Sequence, residues 1–174
     1  LKELQAETGI TTIFVTHDQV EAMVMSDTII VMINGYIEQM GPPNEVYQNP
    51  ANQFVACFVG VSNLLSAEIV DVPRSDGKTS IKLGETTIFC DAMGAIKGDQ
   101  VTLSIRPEDL VVVPKKPKKN EPNILQCTIE KSVYMWGMLE ICANAYGQQL
   151  RIHGHRLPIM SRNDIINVNM DPIT

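Results

Sequence analysis

The sequence predicts two parts: an α/β segment over residues 1–60, then a mainly-β segment of small-barrel type over residues 61–174. Three observations carry this. Up to Gly60, apolar residues alternate between helical spacing and short continuous β-branched runs, the patterns of amphipathic helices and buried strands. From about Asn63 onward, short β-prone runs recur between Gly, Pro, Asp and Lys with little helical periodicity, which suggests a barrel or sandwich. Between two apolar runs, Asn34-Gly35 marks a hairpin, because a type I′ turn needs positive φ at both central residues. The boundary between the parts is expected at residues 60–64.

Within the first part, Leu1 to Thr8 reads as a helix with Gly9 at its C-cap. Thr11 to Thr16, β-branched and aromatic, reads as a strand buried on both faces. Asp18-Gln-Val-Glu21 then starts a helix in which Asp18 caps and Glu21 holds the reciprocal capping-box position, with Val20, Met23 and Val24 as its apolar side. Thr28 to Ile33 and Tyr36 to Gln39 are the strands of the hairpin. Gly41-Pro42-Pro43 breaks the sheet, Asn44 caps a short helix through Tyr47, and Pro50 ends it. A last helix covers Ala51 to Val59.

For the second part the expected strands are Leu65–Val70, Thr79–Leu83, Thr87–Cys90, Val101–Ile105, Leu110–Val113, Leu125–Tyr134, Leu139–Ala143, Gln149–His153 and Ile165–Asn169. Closing such strands on one another removes exposed edges. Trp136-Gly137, in a hairpin, is expected to anchor the barrel end.

Composition narrows the partners. The 174 residues are 44% hydrophobic with a formal net charge of −6, as in soluble globular chains. No apolar run approaches the ~18 residues that cross a bilayer, so membrane association would go through a partner. The negative balance argues against nucleic acid, whose backbone is bound by neutralising phosphates with Lys and Arg. The opposing run, Lys115-Lys116-Pro117-Lys118-Lys119, reads as a solvated loop. Cys57, Cys90, Cys127 and Cys142 show no C-x-x-C spacing and read as reduced core cysteines of a cytosolic protein. The chain begins inside a helix without an initiator Met or signal-peptide pattern, so a fragment is expected.

Chemistry concentrates at Thr12-Ile-Phe-Val-Thr-His17-Asp-Gln-Val-Glu-Ala-Met23. A buried strand here would deliver His17 at its C-terminal end just before a helix, the crevice in which open α/β sheets bind ligands. Imidazole there can hydrogen-bond a phosphate oxygen. It can equally cap a neighbouring element, and position alone does not separate the two.

The flanking residues add a resemblance. Phe14-Val-Thr-His-Asp-Gln19, Glu21-Ala-Met23, Ser26-Asp27, Ile30-Val-Met32, Gly35, Ile37-Glu-Gln39, Gly41-Pro42, Glu45, Tyr47, Pro50, Phe54-Val-Ala56 and Phe58-Val-Gly60 follow one another as in a known family. Over these residues the chain resembles the ATPase subunits of ABC importers, in the maltose/polyamine/iron-type branch that carries a C-terminal extension. The resemblance implies that residues 1–60 are the C-terminal part of the ABC ATPase domain, from the H-loop onward. It makes His17 the switch histidine that contacts the ATP γ-phosphate and helps position the attacking water. Asp18, Gln19, Glu21 and Asp27 are given capping and packing roles.

ATP and Mg²⁺ are implied for the parent chain. The sequence has no G-x-x-x-x-G-K-[ST] run, so nothing in it cradles the β- and γ-phosphates or places a hydroxyl on Mg²⁺. The signature motif, Walker B carboxylates and Q-loop are missing too. No ATP binding or hydrolysis is therefore expected of this fragment alone, and no metal site.

Residues 61–174 resemble the family's transport-associated OB-like accessory domain, most clearly at Leu103-Ser-Ile-Arg106-Pro107-Glu108-Asp109-Leu110. Arg106 and Glu108 are open to an interdomain ion pair or a regulator contact, with a strand-end turn held by local hydrogen bonds preferred. His153-Gly154-His155 puts two imidazoles on one strand face; without a third ligand nearby they read as surface histidines. The implied partners are a second ATPase copy in a homodimer, membrane permease subunits, and a small-molecule or protein regulator at the accessory domain, with the subunit peripheral to the cytoplasmic face of the membrane. Phe58-Val-Gly-Val-Ser-Asn-Leu64 looks more like polyamine- or iron-type members than sugar-type ones. The alternative reading is a stand-alone regulatory or small-ligand-binding OB-like module.

Overall fold

The computed structural model describes residues 2–71, 78–91, 94, 96–113 and 121–170, and the chain divides into two units, Leu1–Val61 and Ser62–Thr174. The basic run Lys115–Lys119 lies outside the described residues.

Unit 1 is built from α1 (Lys2–Thr8), α2 (Gln19–Met25), β1 (Ile29–Ile33), β2 (Tyr36–Gly41), α3 (Pro43–Gln48) and α4 (Gln53–Phe58). Gly9 ends α1 at φ +64, its N–H donating to the Gln5 carbonyl at 2.9 Å. The hairpin turn has Asn34 at φ 51 and Gly35 at φ 84, the positive pair its sequence demands. One hairpin face carries Ile29 and Val31 into a cluster with Val46, Val55 and Val59, and Ala22, Met23, Tyr47 and Phe54 pack around it. Phe54 and Phe58 stack with ring centroids 5.4 Å apart.

Three expectations for this unit are corrected. Thr11 to Thr16 form no strand, and Ile13 and Val15 are 90% and 91% exposed. A strand needs a neighbour to complete its ladder, and among the described residues no element pairs with this run. Asn44 lies inside α3 and does not cap it; Pro42 occupies the N-cap without a side-chain bond, and Pro43 begins the helix, where its missing N–H is harmless. The last helix starts at Gln53 rather than Ala51, because the Asn52 side chain accepts the Val55 N–H at 3.0 Å as its N-cap. Ala51 instead donates its N–H to Gln39 Oε1 at 2.8 Å, while Gln39 Nε2 donates to the Asn49 carbonyl at 3.0 Å.

Unit 2 is mostly β: β3 (Asn63–Asp71), β4 (Thr79–Leu83), β5 (Thr86–Cys90), β6 (Gln100–Ile105), a 3₁₀ turn η1 (Pro107–Asp109), β7 (Val111–Val113), β8 (Ile124–Met135), β9 (Met138–Ala145), β10 (Gln148–His155) and β11 (Ile165–Asn169). All nine expected strands are present. They form two antiparallel sheets, in the orders β5-β4-β3-β6 and β10-β9-β8-β11-β7. Alternation along β8, β9 and β10 sends Leu125, Ile129, Leu139, Ile141, Leu150 and Ile152 into one core with Leu65, Ile69, Ile81 and Leu83 of the other sheet. A bulge between Ile129 and Lys131 shifts the β8–β9 register and bends the longer strand.

The two sheets are joined by side chains where the ladder stops. β4 pairs with β3 only at Glu68 to Asp71, leaving one edge of the earlier part of β3 open. There the Gln148 carboxamide accepts the Ser66 N–H at 2.7 Å and donates to the Ser66 carbonyl at 3.0 Å. Reciprocally, the Asn63 carboxamide accepts the Arg151 N–H at 2.7 Å and donates to the Arg151 carbonyl at 2.8 Å. Each clasp imitates one rung of a ladder and satisfies backbone groups that would otherwise be stranded. Gly84, at φ +57, is packed by the Tyr146 ring where any Cβ would have to sit.

Trp136 does not anchor this unit. It occupies the β8–β9 turn at φ 51 and is fully exposed, whereas Tyr146, at the same φ in the β9–β10 turn, has Gly84 to pack against. Nor are all the cysteines in the core: Cys127 is buried and Cys90 and Cys142 half-buried, but Cys57 lies exposed on α4. Its side of the short helix faces away from the Val55 cluster.

Candidate functional site

His17 stands between residues 10–16, which form neither helix nor strand, and the start of α2. Asp18 caps that helix, its Oδ1 accepting the Glu21 N–H at 3.0 Å. The reciprocal arm runs through a residue the sequence did not single out. Asp18 donates its N–H to Thr16 Oγ1 at 2.9 Å, and the Thr16 hydroxyl donates to Glu21 Oε2 at 3.1 Å. The capping box is thus closed by way of Thr16, two residues ahead of the cap, as a threonine hydroxyl can do through local backbone bonding.

Gln19 has a definite packing role: its Oε1 accepts the Gly60 N–H at 3.1 Å, fastening the start of α2 to the end of α4 across 41 residues. These bonds engage Thr16, Asp18, Gln19 and Glu21 and leave His17 outside the network. Its imidazole is exposed, and among the described residues it has no hydrogen-bond or ion-pair partner. Asp27 lies in the bend before β1, where its carboxylate meets Lys2 Nζ at 3.8 Å. The arrangement is a hydrogen-bonded turn presenting one exposed imidazole.

A second polar cluster lies in unit 2. Arg106, only 8% exposed, donates from Nη1 to Ser62 Oγ at 2.7 Å, a local tie within the unit. His153 faces Glu140 directly across the β9–β10 ladder, its Nε2 3.4 Å from Glu140 Oε2, while its Nδ1 lies 3.8 Å from Glu108 Oε2 on η1. The expectation of two surface histidines therefore holds for His155 only. His153 retains 18% side-chain exposure because η1 folds over it. Burial, then the neighbouring Glu108, raise the Asp109 carboxyl above the usual range, and Arg106 partly opposes them. Burial pushes the Cys127 thiol up to about 12. Burial also raises Cys90, with Asp91 adding to it.

Among the described residues, no group of three or more His, Cys, Asp or Glu is placed to hold a metal ion. No described helix is long and apolar enough to cross a membrane.

No family model matches the chain, but curated proteins do. It is 44% identical over 138 residues to the spermidine/putrescine import ATP-binding protein PotA 1 of Pseudomonas aeruginosa, spanning 78% of this chain and 35% of that protein. It is 36% identical over 172 residues to the PotA protein of Acetivibrio thermocellus, spanning 99% of this chain and 45% of the relative. With the Clostridium acetobutylicum protein it shares 44% over 119 residues, 68% of this chain and 32% of the relative. The chain thus spans less than half the length of these relatives, and the match lies in their C-terminal part. Among solved structures, the cytoplasmic molybdate-binding protein ModG, with molybdate bound, superposes at a TM-score of 0.53 and 10% identity, over 62% of this chain and 88% of that one. At that identity the likeness speaks for the fold alone, an OB-like β domain.

Proposed function

We propose, for a chain whose sequence is homologous to the C-terminal part of ABC-importer ATP-binding subunits, that it serves as that part of a polyamine importer's ATPase. The observation that carries this is the alignment of 172 residues, 99% of the chain, with a spermidine/putrescine import ATP-binding protein. The names of the relatives favour polyamine over iron or sugar, and favour an importer subunit over a stand-alone binding module. Unit 1 is then the end of the α/β nucleotide-binding domain and unit 2 its accessory domain. The partners are a second copy of the subunit, the membrane permease subunits and a regulator acting on the accessory domain. Through the permease, the subunit sits at the cytoplasmic face of the membrane.

ATP and Mg²⁺ belong to the complete subunit. The residues present do not make a nucleotide site by themselves: the sequence holds no phosphate-cradling glycine loop, and His17 supplies a single exposed imidazole. What His17 can do is donate one hydrogen bond to a phosphate oxygen, or hold a water beside it, from a turn that Thr16, Asp18 and Glu21 keep in shape. Those three residues position it and touch no substrate.

The test is His17→Ala in a full-length subunit reconstituted with its permease. ATP turnover is expected to fall by about 10²-fold, the loss typical of one transition-state hydrogen-bond donor, with nucleotide affinity nearly kept and ATP-dependent spermidine uptake lost. Unchanged turnover sinks the role of His17, and uptake that ignores spermidine sinks the substrate. Mg²⁺-dependent phosphate release by the pure 174-residue chain would refute the view that the phosphate site lies outside it.

A further inference from the structure

Both ring nitrogens of His153 face carboxylate oxygens, at 3.4 Å for Glu140 and 3.8 Å for Glu108. That is unusual for a neutral imidazole, which has one N–H and one lone pair. It can donate to one carboxylate only, and it then turns the lone pair toward the other. The imidazolium ion has a donor on each nitrogen and suits both neighbours at once. The two neighbours also differ in how they are held. Glu140 is fixed opposite His153 by the β9–β10 ladder, whereas Glu108 belongs to η1, a single turn whose own backbone bond is Asp109 N–H to the Arg106 carbonyl at 3.1 Å.

We propose that His153 is a protonation-controlled latch that ties the η1 turn to the β9–β10 ladder. With the ring charged, it bridges Glu108 and Glu140 and draws η1 onto β10. With the ring neutral, the proton stays on the nitrogen facing the nearer, ladder-held Glu140, and the lone pair left toward Glu108 repels it. The part that shifts is the Glu108 edge of the turn, which follows Arg106 and its bond to Ser62, while Pro107 and Leu110 stay buried. Imidazole is the side chain whose charge ordinarily changes between about pH 5 and 8, which sets the range over which the latch is tested.

The surrounding charges are of both signs. η1 contributes Glu108 and Asp109, with Arg106 just ahead of it, and β9 contributes Glu140 and the Cys142 thiol. On β10 itself, Arg151 and His155 share the His153 face at two-residue spacing. β3, which also packs on β10, carries Glu68 and Asp71, and β7 carries no ionisable side chain. The carboxylates that touch the ring, Glu108 and Glu140, are therefore the groups that gain most from its charge.

Backbone amide spectra of the complete chain, followed from about pH 8 to pH 5, test this. The Asp109 and Leu110 amide signals are expected to move in one step together with the His153 ring signal. That step should vanish in His153→Gln. In Glu108→Gln, at a carboxylate exposed enough to replace without unfolding the chain, the ring should still titrate while the η1 step is lost. His155→Gln should leave the step intact. An η1 step that survives in His153→Gln, disappears in His155→Gln, or is absent from the unmodified chain would overturn the latch.

Discussion

The two units treat their apolar residues differently. Among the described residues of Ser62–Thr174, nineteen buried apolar residues form one cluster that draws on both sheets, and Leu65, Ile69, Ile81, Leu125, Ile129, Ile141 and Ile152 are wholly enclosed. In Leu1–Val61 the buried apolar cluster is five residues, Ile29, Val31, Val46, Val55 and Val59. Outside it, the hairpin turns the directly opposed pairs Ile30–Met40 and Met32–Ile37 to solvent, and Ile13 and Val15 stand almost fully exposed. Burying one such side chain is worth about 1.5–3 kcal/mol, so the difference in core size is a difference in reserve. Two facing sheets enclose one another's inner faces. A lone hairpin with short helices on one side covers only half of what it carries.

The sharpest way to break this comparison uses the same residue type in both cores. Ile152→Ala removes a side chain with no exposure, and Ile29→Ala one with 9% exposure at the rim of the smaller cluster. The first is expected to destabilise its unit by about 4 kcal/mol and the second by about 2, the upper part and the lower end of the usual range for isoleucine truncation. Urea titrations read by amide hydrogen exchange, which follows each unit separately, measure both. Equal losses would mean that the small cluster is packed as tightly as the large one.

That contrast also explains what could be read in advance. All nine strands of unit 2 were legible, because period-two alternation and turn residues are local properties, and in an antiparallel two-sheet fold local pattern and final burial agree. Thr11 to Thr16 misled for the opposite reason. A continuous β-branched run carries only the propensity for a strand, and whether it is buried depends on neighbours that the run does not contain. At the site, the Asp18 cap and the place of His17 were visible in the short motif, but Thr16 closing the box was not, since the motif names Glu21 for that role. The Asn63 and Gln148 clasps had no signal at all. They join residues 88 and 82 positions apart, and nothing about an isolated Asn or Gln tells which backbone it will meet.

Those clasps give the second test, smaller than the first. Asn63 is 5% exposed, so Asn63→Ala leaves the Arg151 N–H and carbonyl without partners in a part-buried setting, and a loss of about 2 kcal/mol is expected. Gln148→Ala frees the Ser66 groups where water can reach them, and should cost about half as much. Hydrogen exchange at the Arg151 and Ser66 amides separates the two. If Gln148→Ala proved the more damaging, the joint between the sheets would be held from the exposed end, and the enclosure of unit 2 would rest on a different element.

The smallest effect probes the rim of the same unit through pH. Burial and the neighbouring Glu108 raise the Asp109 carboxyl, with Arg106 opposing. A raised acid holds its proton more tightly in the folded chain than in the unfolded one. The stability that follows is complete below the ordinary carboxylate range and is lost as pH climbs through the raised folded value. Above that value the folded chain carries an ionised carboxylate in a less favourable place, and Asp109→Asn removes the penalty. Relative to the unmodified chain, the variant should therefore gain thermal stability as pH rises through the acid range and then keep a constant small advantage. The advantage is small because water still reaches this carboxylate and screens its neighbours. A difference between variant and unmodified chain that does not change with pH would show that η1 leaves Asp109 as well solvated folded as unfolded, and that the enclosure of unit 2 stops short of this turn.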